Sequence, residues 1–284
     1  MRIHFKTLAI CFLFSSIGLH TIAQDYYGGG NGSWRKKPDD SNKPKDKDGT
    51  NPEPSGYMSI NFGLSYPEGS YGAGYGNVYG GYAQSGTIYH FSFAFPIDHS
   101  NFGLAFMFGS SSNNYDINTF INYNNTHDPY AYYEAGPGSN NVYQQSSIMG
   151  GLYVTAPVGR LSIDGRLMIG ALLNSLPEQY YGKVDTSNAV NVYDLPTTYP
   201  TSFAFDAGIG IRYLIAKFGH RQLCAMLNVD FLYSKVSYSA TEVLDYTPYS
   251  TANSITYESY PTITGTMTIS QVNATIGLGY QFGK

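Results

Sequence analysis

The chain is poor in cysteine, tryptophan and charge. Of its two cysteines, Cys11 lies in a leading apolar segment, which leaves Cys224 with no internal disulfide partner. Cys224 falls on the polar-facing parity of a strand pattern and reads as a small interior filler. Only 13% of the residues are charged and the formal net charge is −4. That balance excludes the basic surface of a nucleic-acid binder. No segment after the first residues reaches about 18 continuous apolar positions, so no helical membrane span is expected. No Cys/His or carboxylate cluster has metal-ligand spacing, so neither metal nor other cofactor is expected.

What the chain does have is strict alternation. Near its end, Val272, Ala274, Ile276, Leu278, Tyr280 and Phe282 interleave with Gln271, Asn273, Thr275, Gly277, Gly279 and Gln281. Period two is the signature of an extended strand with one apolar face. Seven earlier stretches repeat it. They are Tyr57 to Tyr66, Thr87 to Phe95, Phe102 to Phe108, Ser147 to Ala156, Leu161 to Leu173, Phe203 to Ile215 and Leu223 to Tyr233. A soluble sandwich turns such a face inward. A membrane barrel turns it to lipid and fills its lumen with small and polar groups. Glycine (32 residues) and tyrosine (28) are both abundant. In a barrel, glycine suits crowded interior positions and tyrosine suits the lipid–water boundary.

The connections alternate as well. Those after the second, fourth and sixth strands are short turns. Those after the first, third, fifth and seventh are long and rich in Gly, Asn, Ser and Tyr. The expected fold is all-β: an eight-stranded antiparallel transmembrane barrel, an up-and-down meander, over 56–284. Residues 1–23 read as a signal peptide. Arg2 and Lys6 precede an apolar run, and Thr21-Ile22-Ala23 ends in a small residue. Residues 24–55 hold six Lys/Arg and six Asp/Glu, one tryptophan (Trp34) and little to bury. They are expected to be a disordered tail, on the periplasmic side with the C-terminus.

This pattern resembles the small eight-stranded outer-membrane barrels of Gram-negative bacteria, the family of OmpA transmembrane domains, OmpX and OmpW. The resemblance covers about Tyr57 to Lys284. It rests on the strand pattern and on Tyr280-Gln281-Phe282, which looks like the signal read by the barrel-assembly machinery. The final Gly283-Lys284 departs from the usual terminal aromatic. The resemblance implies a cell outer membrane location with lipid and lipopolysaccharide as surroundings. It implies no enzymatic activity and no nucleic-acid partner.

Five charged residues, Asp164, Arg166, Asp206, Arg212 and Asp230, fall on the inward parity, and so does His90. A cation on the lipid face at mid-depth costs about 2–4 kcal/mol, so the interior is where such charges belong. Aligning the tight turns sets Asp164 roughly opposite Arg212. Two readings follow: a plug of ion pairs, or a selectivity ring around a pore. Eight strands leave a lumen about wide enough for side chains alone, which favours the plug. His90 and Ser92 share a face, but their place in an early strand argues against a catalytic pair. The expected role is a structural or interaction surface made by long acidic loops. Their tyrosines include Tyr71, Tyr75, Tyr79, Tyr82, Tyr130, Tyr132 and Tyr133. The alternatives are a narrow small-solute channel and an accessory subunit of a larger secretion or assembly complex. In the last case a protein partner would engage the loops or the tail.

Overall fold

The computed structural model describes residues 56–72, 81–97, 100–135, 142–185, 190–218, 221–241, 243–247 and 257–282. The signal-peptide and tail expectations, with Trp34, Tyr75 and Tyr79, lie outside them.

Eight strands close into a barrel: β1 (Gly56–Pro67), β2 (Ala83–Pro96), β3 (Phe102–Tyr115), β5 (Val142–Val158), β6 (Leu161–Ser175), β9 (Thr201–Phe218), β10 (Arg221–Thr241) and β13 (Thr262–Phe282). Every neighbouring pair is antiparallel, and β1 meets β13 from Gly56↔Phe282 to Pro67↔Gln271. Closure removes the unpaired edges of an open sheet along this stretch.

The polarity of the wall is inverted relative to a soluble protein. Phe62, Leu152, Ile163, Leu167, Ile209 and Ile276 are exposed on its outside, whereas Asn61, Asp164, Asp206 and Gln271 are fully buried inside. An exterior of this kind is stable against lipid and not against water. Charged Lys217 and Arg221 stand at the short-turn rim. A register shift between Leu223 and Cys224 accommodates one extra residue of β9 near that rim.

The long connections are more ordered than their composition suggests. They carry a helical turn, α1 (Gly69–Gly72), and a helix, α2 (Ile117–His127). Asp116 caps α2, accepting from the Thr119 backbone N–H at 3.0 Å. Five further strands are β4 (Ala131–Ala135), β7 (Gln179–Asp185), β8 (Val190–Leu195), β11 (Val243–Thr247) and β12 (Tyr257–Ser259). They form a second antiparallel sheet in the order β12-β11-β8-β7-β4. The expectation of loops is corrected here. Each strand is only 3–7 residues long and has no alternation of its own long enough to read. Three different connections must meet before the sheet exists.

Candidate functional site

The interior of the barrel gathers buried charges, aromatics and amides, and it is filled in layers. Towards the short-turn end, Arg212 donates from Nε to Asp164 Oδ2 at 2.6 Å and from Nη2 to Asp164 Oδ1 at 3.0 Å. Its Nη2 also reaches Thr155 Oγ1 at 2.9 Å, and its guanidinium lies 4.5 Å from the ring centre of Tyr57. Tyr57 meets Tyr153 edge-to-face at 6.1 Å. The residue directly opposite Arg212 is Ser162, so Asp164 and Arg212 pair on the diagonal. A forked contact stacked on an aromatic face uses both properties that distinguish arginine from lysine.

A second pair lies deeper. Arg166 Nη2 donates to Asp230 Oδ1 at 2.7 Å, with both side chains buried. These residues are not on neighbouring strands: Arg166 (β6) faces Gly208 (β9), and Gly208 faces Asp230 (β10). A Cβ at Gly208 would strike the Asp230 carboxylate. The missing side chain lets strands two apart join hands across the one between. The same device recurs at Gly277 of β13. Asn228 Nδ2 donates to Asn61 Oδ1 at 3.1 Å, and a Cβ at Gly277 would meet Asn61.

Asp206 is also fully buried, but neither of its carboxylate oxygens has a hydrogen-bond partner among the described residues. His90 is buried, and its Nε2 has none either. Ser92 Oγ is likewise unsatisfied, so the two do not form a hydrogen-bonded dyad. The described interior thus sets three carboxylates against two guanidiniums.

Above these pairs, at the long-connection end, the filling changes from polar to aromatic. Tyr71 of α1, Tyr82, Tyr115, Tyr143, Tyr181 and Phe120 of α2 meet mostly edge-to-face. Centroids lie 5.2 Å apart for Tyr71–Tyr143, 5.6 Å for Tyr82–Phe120 and 5.2 Å for Phe120–Tyr181. Such geometry suits the ring quadrupoles. Tyr143 Oη donates to the Gly81 carbonyl at 2.6 Å, and Gln145 Nε2 donates to Tyr71 Oη at 2.9 Å. Tyr82 holds a left-handed backbone, φ 44°, and its carbonyl accepts from the Asp116 N–H. The reading of the loop tyrosines as a contact surface is therefore corrected in part. Tyr71, Tyr82 and Tyr133 are buried, and only Tyr130 and Tyr132 of those described stand out, 73% and 55% exposed. Tyrosine carries enough apolar area to build a core wherever its hydroxyl finds a partner.

Sequence reasoning missed Tyr57, Tyr153 and Thr155, although all three share the inward parity of their strands. Among the described residues, no cluster of three or more His, Cys, Asp or Glu could hold a metal ion. Outside the wall, Asp128 accepts from Lys183 Nζ at 3.1 Å and from Tyr133 Oη at 3.0 Å. The Lys183 ammonium, then the Tyr133 hydroxyl, hold the Asp128 carboxyl below the usual carboxylate range.

No family model matches the chain, and no curated protein matches it in sequence. Solved structures do. The chain is similar to Neisserial surface protein A (NspA), with 11% identity over 80% of this chain and 97% of that one and a TM-score of 0.37. It is similar to a major outer membrane protein from Thermus thermophilus, with 11% identity over 80% and 99% and a TM-score of 0.37. It is also similar to Ail, the attachment invasion locus protein of Yersinia pestis, with 9% identity over 80% and 99% and a TM-score of 0.35. These are small outer-membrane β-barrel proteins, the kind that the sequence resembles. The barrel assignment itself rests on this chain's own closed strand order.

Proposed function

We propose that this chain is a closed outer-membrane barrel that works as a structural and interaction protein rather than as a pore or an enzyme. The observation that carries the reading is the two-layer filling of the lumen. Two buried ion pairs occupy its middle, and an aromatic cluster lies across its long-connection end. In this reading the apolar belt contacts lipid and lipopolysaccharide. The aromatic end of β13, Tyr280 and Phe282, serves recognition by the assembly machinery. The long-connection end faces outward, since short turns are periplasmic in such barrels. There the second sheet, α2 and exposed Tyr130 and Tyr132 form the surface offered to partners. A narrow small-solute channel would need both layers to part.

The test is electrical. Purified barrel in planar bilayers is expected to show no steady ion current, and large stable openings would overturn the closed reading. Orientation is tested separately. Chymotrypsin added to intact cells is expected to cut after Tyr130 or Tyr132, and protection of both until the cells are lysed would invert the topology.

A further inference from the structure

β1 and β2 part before either strand ends. Their pairing stops at Ser65↔Gly86, yet β1 continues beside β13 to Pro67 and β2 continues beside β3 to Ala83. One extra residue of β2 lies between Ala83 and Gly86, which oppose Tyr115 and Asn113. Such a bulge bends the strand that carries it. On the lumen side the gap is closed. Asn113 of β3, fully buried, donates from Nδ2 to the Gln84 carbonyl at 3.0 Å and to the Ser65 carbonyl at 3.4 Å. On the other side the gap stays open as a recess of about 380 Å³, lined by Tyr66, Pro67, Glu68, Gly72, Ala83 and Ser85.

The recess stands at the edge of the apolar belt. The outward row of β1 runs Ile60, Phe62, Leu64, Tyr66 and is followed by Glu68. On β2, Phe91 and Tyr89 give way to exposed Thr87 and Ser85. Tyrosine thus marks the lipid–water boundary on both strands. The backbone of Glu68 is pinned to β13 there. Its N–H donates to the Ser270 carbonyl at 2.8 Å, and its own carbonyl accepts from Ser270 Oγ at 2.7 Å. Its carboxylate is exposed and makes no ion pair among the described residues. From Gly56 to Pro96 the chain has no other Asp, Glu, Lys or Arg.

We propose that this recess holds the primary ammonium group of a membrane lipid, whose acyl chains run down the belt past Tyr66 and Leu64. The site rests on the barrel reading for the height of the membrane boundary, but not on the orientation. A carboxylate without a counter-ion at a boundary where the dielectric falls attracts a cation more strongly than it would in water. The Tyr66 ring adds a π-face, and Ser85 Oγ adds an acceptor for a second N–H. Other occupants fit less well. A phosphate would meet no arginine or lysine on the lining and would be repelled by Glu68. A calcium ion takes about 6–8 oxygen ligands and would find one carboxylate. Asp116, which Gln84 reaches at 2.9 Å, is already engaged by the Thr119 N–H and hydroxyl. A solute crossing the wall would be stopped by Asn113.

The test uses the full chain in nanodiscs of equal parts phosphatidylethanolamine and phosphatidylcholine, whose head groups differ in the methyl groups on nitrogen. Native mass spectrometry of the released barrel reads which lipid it keeps. Phosphatidylethanolamine is expected to be retained about threefold or more over phosphatidylcholine, because methylation removes every N–H donor. Glu68→Gln should bring the ratio to parity while heat-modifiable gel migration persists. Ser85→Phe, which fills the recess, should do the same. Glu134→Gln, at an exposed carboxylate of β4, should leave the ratio unchanged. Parity in the parent chain, a preference that survives Glu68→Gln, or a preference for phosphatidylglycerol over both would overturn the proposal. Loss of the preference on adding EDTA would also overturn it, by making a divalent bridge to phosphate the occupant. Displacement by millimolar free ethanolamine would do so by making a soluble amine the occupant. None of these results bears on conductance or orientation, so the closed-barrel reading stands or falls on its own tests.

Discussion

The middle of the lumen and its mouth are both filled, but by opposite physics. In the middle, charges are taken out of water and held by one another. At the mouth, rings are taken out of water and held by packing. Burying an ion pair is costly unless geometry is good, and losing one member is costlier still. Burying a tyrosine is favourable from the start and needs only a place for its hydroxyl. The middle layer should therefore respond sharply to single changes, and the mouth should respond locally.

The largest effect is expected at Asp164→Ala. It leaves the buried Arg212 guanidinium without its forked acceptor, which should lower barrel stability by about 3–5 kcal/mol. Urea unfolding in detergent reads it, with exposed Glu134→Ala as a reference within about 0.5 kcal/mol of the parent. The double change Asp164→Ala, Arg212→Met should recover much of the loss. If the double change is as weak as the single one, the cost lies in shape and not in charge.

Phe120→Ala tests the other side of the comparison. Truncating a buried ring costs about 3 kcal/mol, but here it should loosen only the cap. Protease cleavage near α2 should rise while heat-modifiable migration of the barrel stays unchanged. A matching drop in the barrel's own unfolding midpoint would merge the two layers into one cooperative unit.

Asp206→Leu should act with the opposite sign. A buried carboxyl with both oxygens unsatisfied is a liability, and replacing it with an apolar side chain of similar volume should raise stability by about 1–3 kcal/mol. A loss of that size would mean that Asp206 is paired in solution.

The smallest effect belongs to the exposed pair outside the wall. The carboxyl of Asp128 is depressed, so its contribution is present above its unfolded pKa and fades as pH falls through the folded one. Lys183→Ala should move that titration upward towards the ordinary carboxylate range, as read by carboxyl NMR. No movement would assign the depression to Tyr133.

Much of this was legible because strand parity is binary. Once Leu161, Ile163 and Leu167 face lipid, Asp164 and Arg166 must face inward, whatever their partners are. Partner choice was less legible. Arg166–Asp230 spans three strands, and turn alignment speaks only to neighbours. The cap was not legible at all. Tyr71, Phe120 and Tyr181 come from three different connections, and the same composition that builds their core is what a solvated loop displays. The second sheet shares that difficulty, since β4, β8 and β11 complete one another from far apart in sequence.

The glycine at position 208 also has a consequence in time. Asp164 and Arg212 sit on adjacent strands, so one strand pairing brings them together. Arg166 and Asp230 meet only when β6, β9 and β10 are all in register, because the contact passes over Gly208. During assembly a two-strand intermediate carries one of these charges without its counter-ion. The bridge can therefore form only once all three strands are aligned, so it stabilises that alignment and no two-strand subset of it.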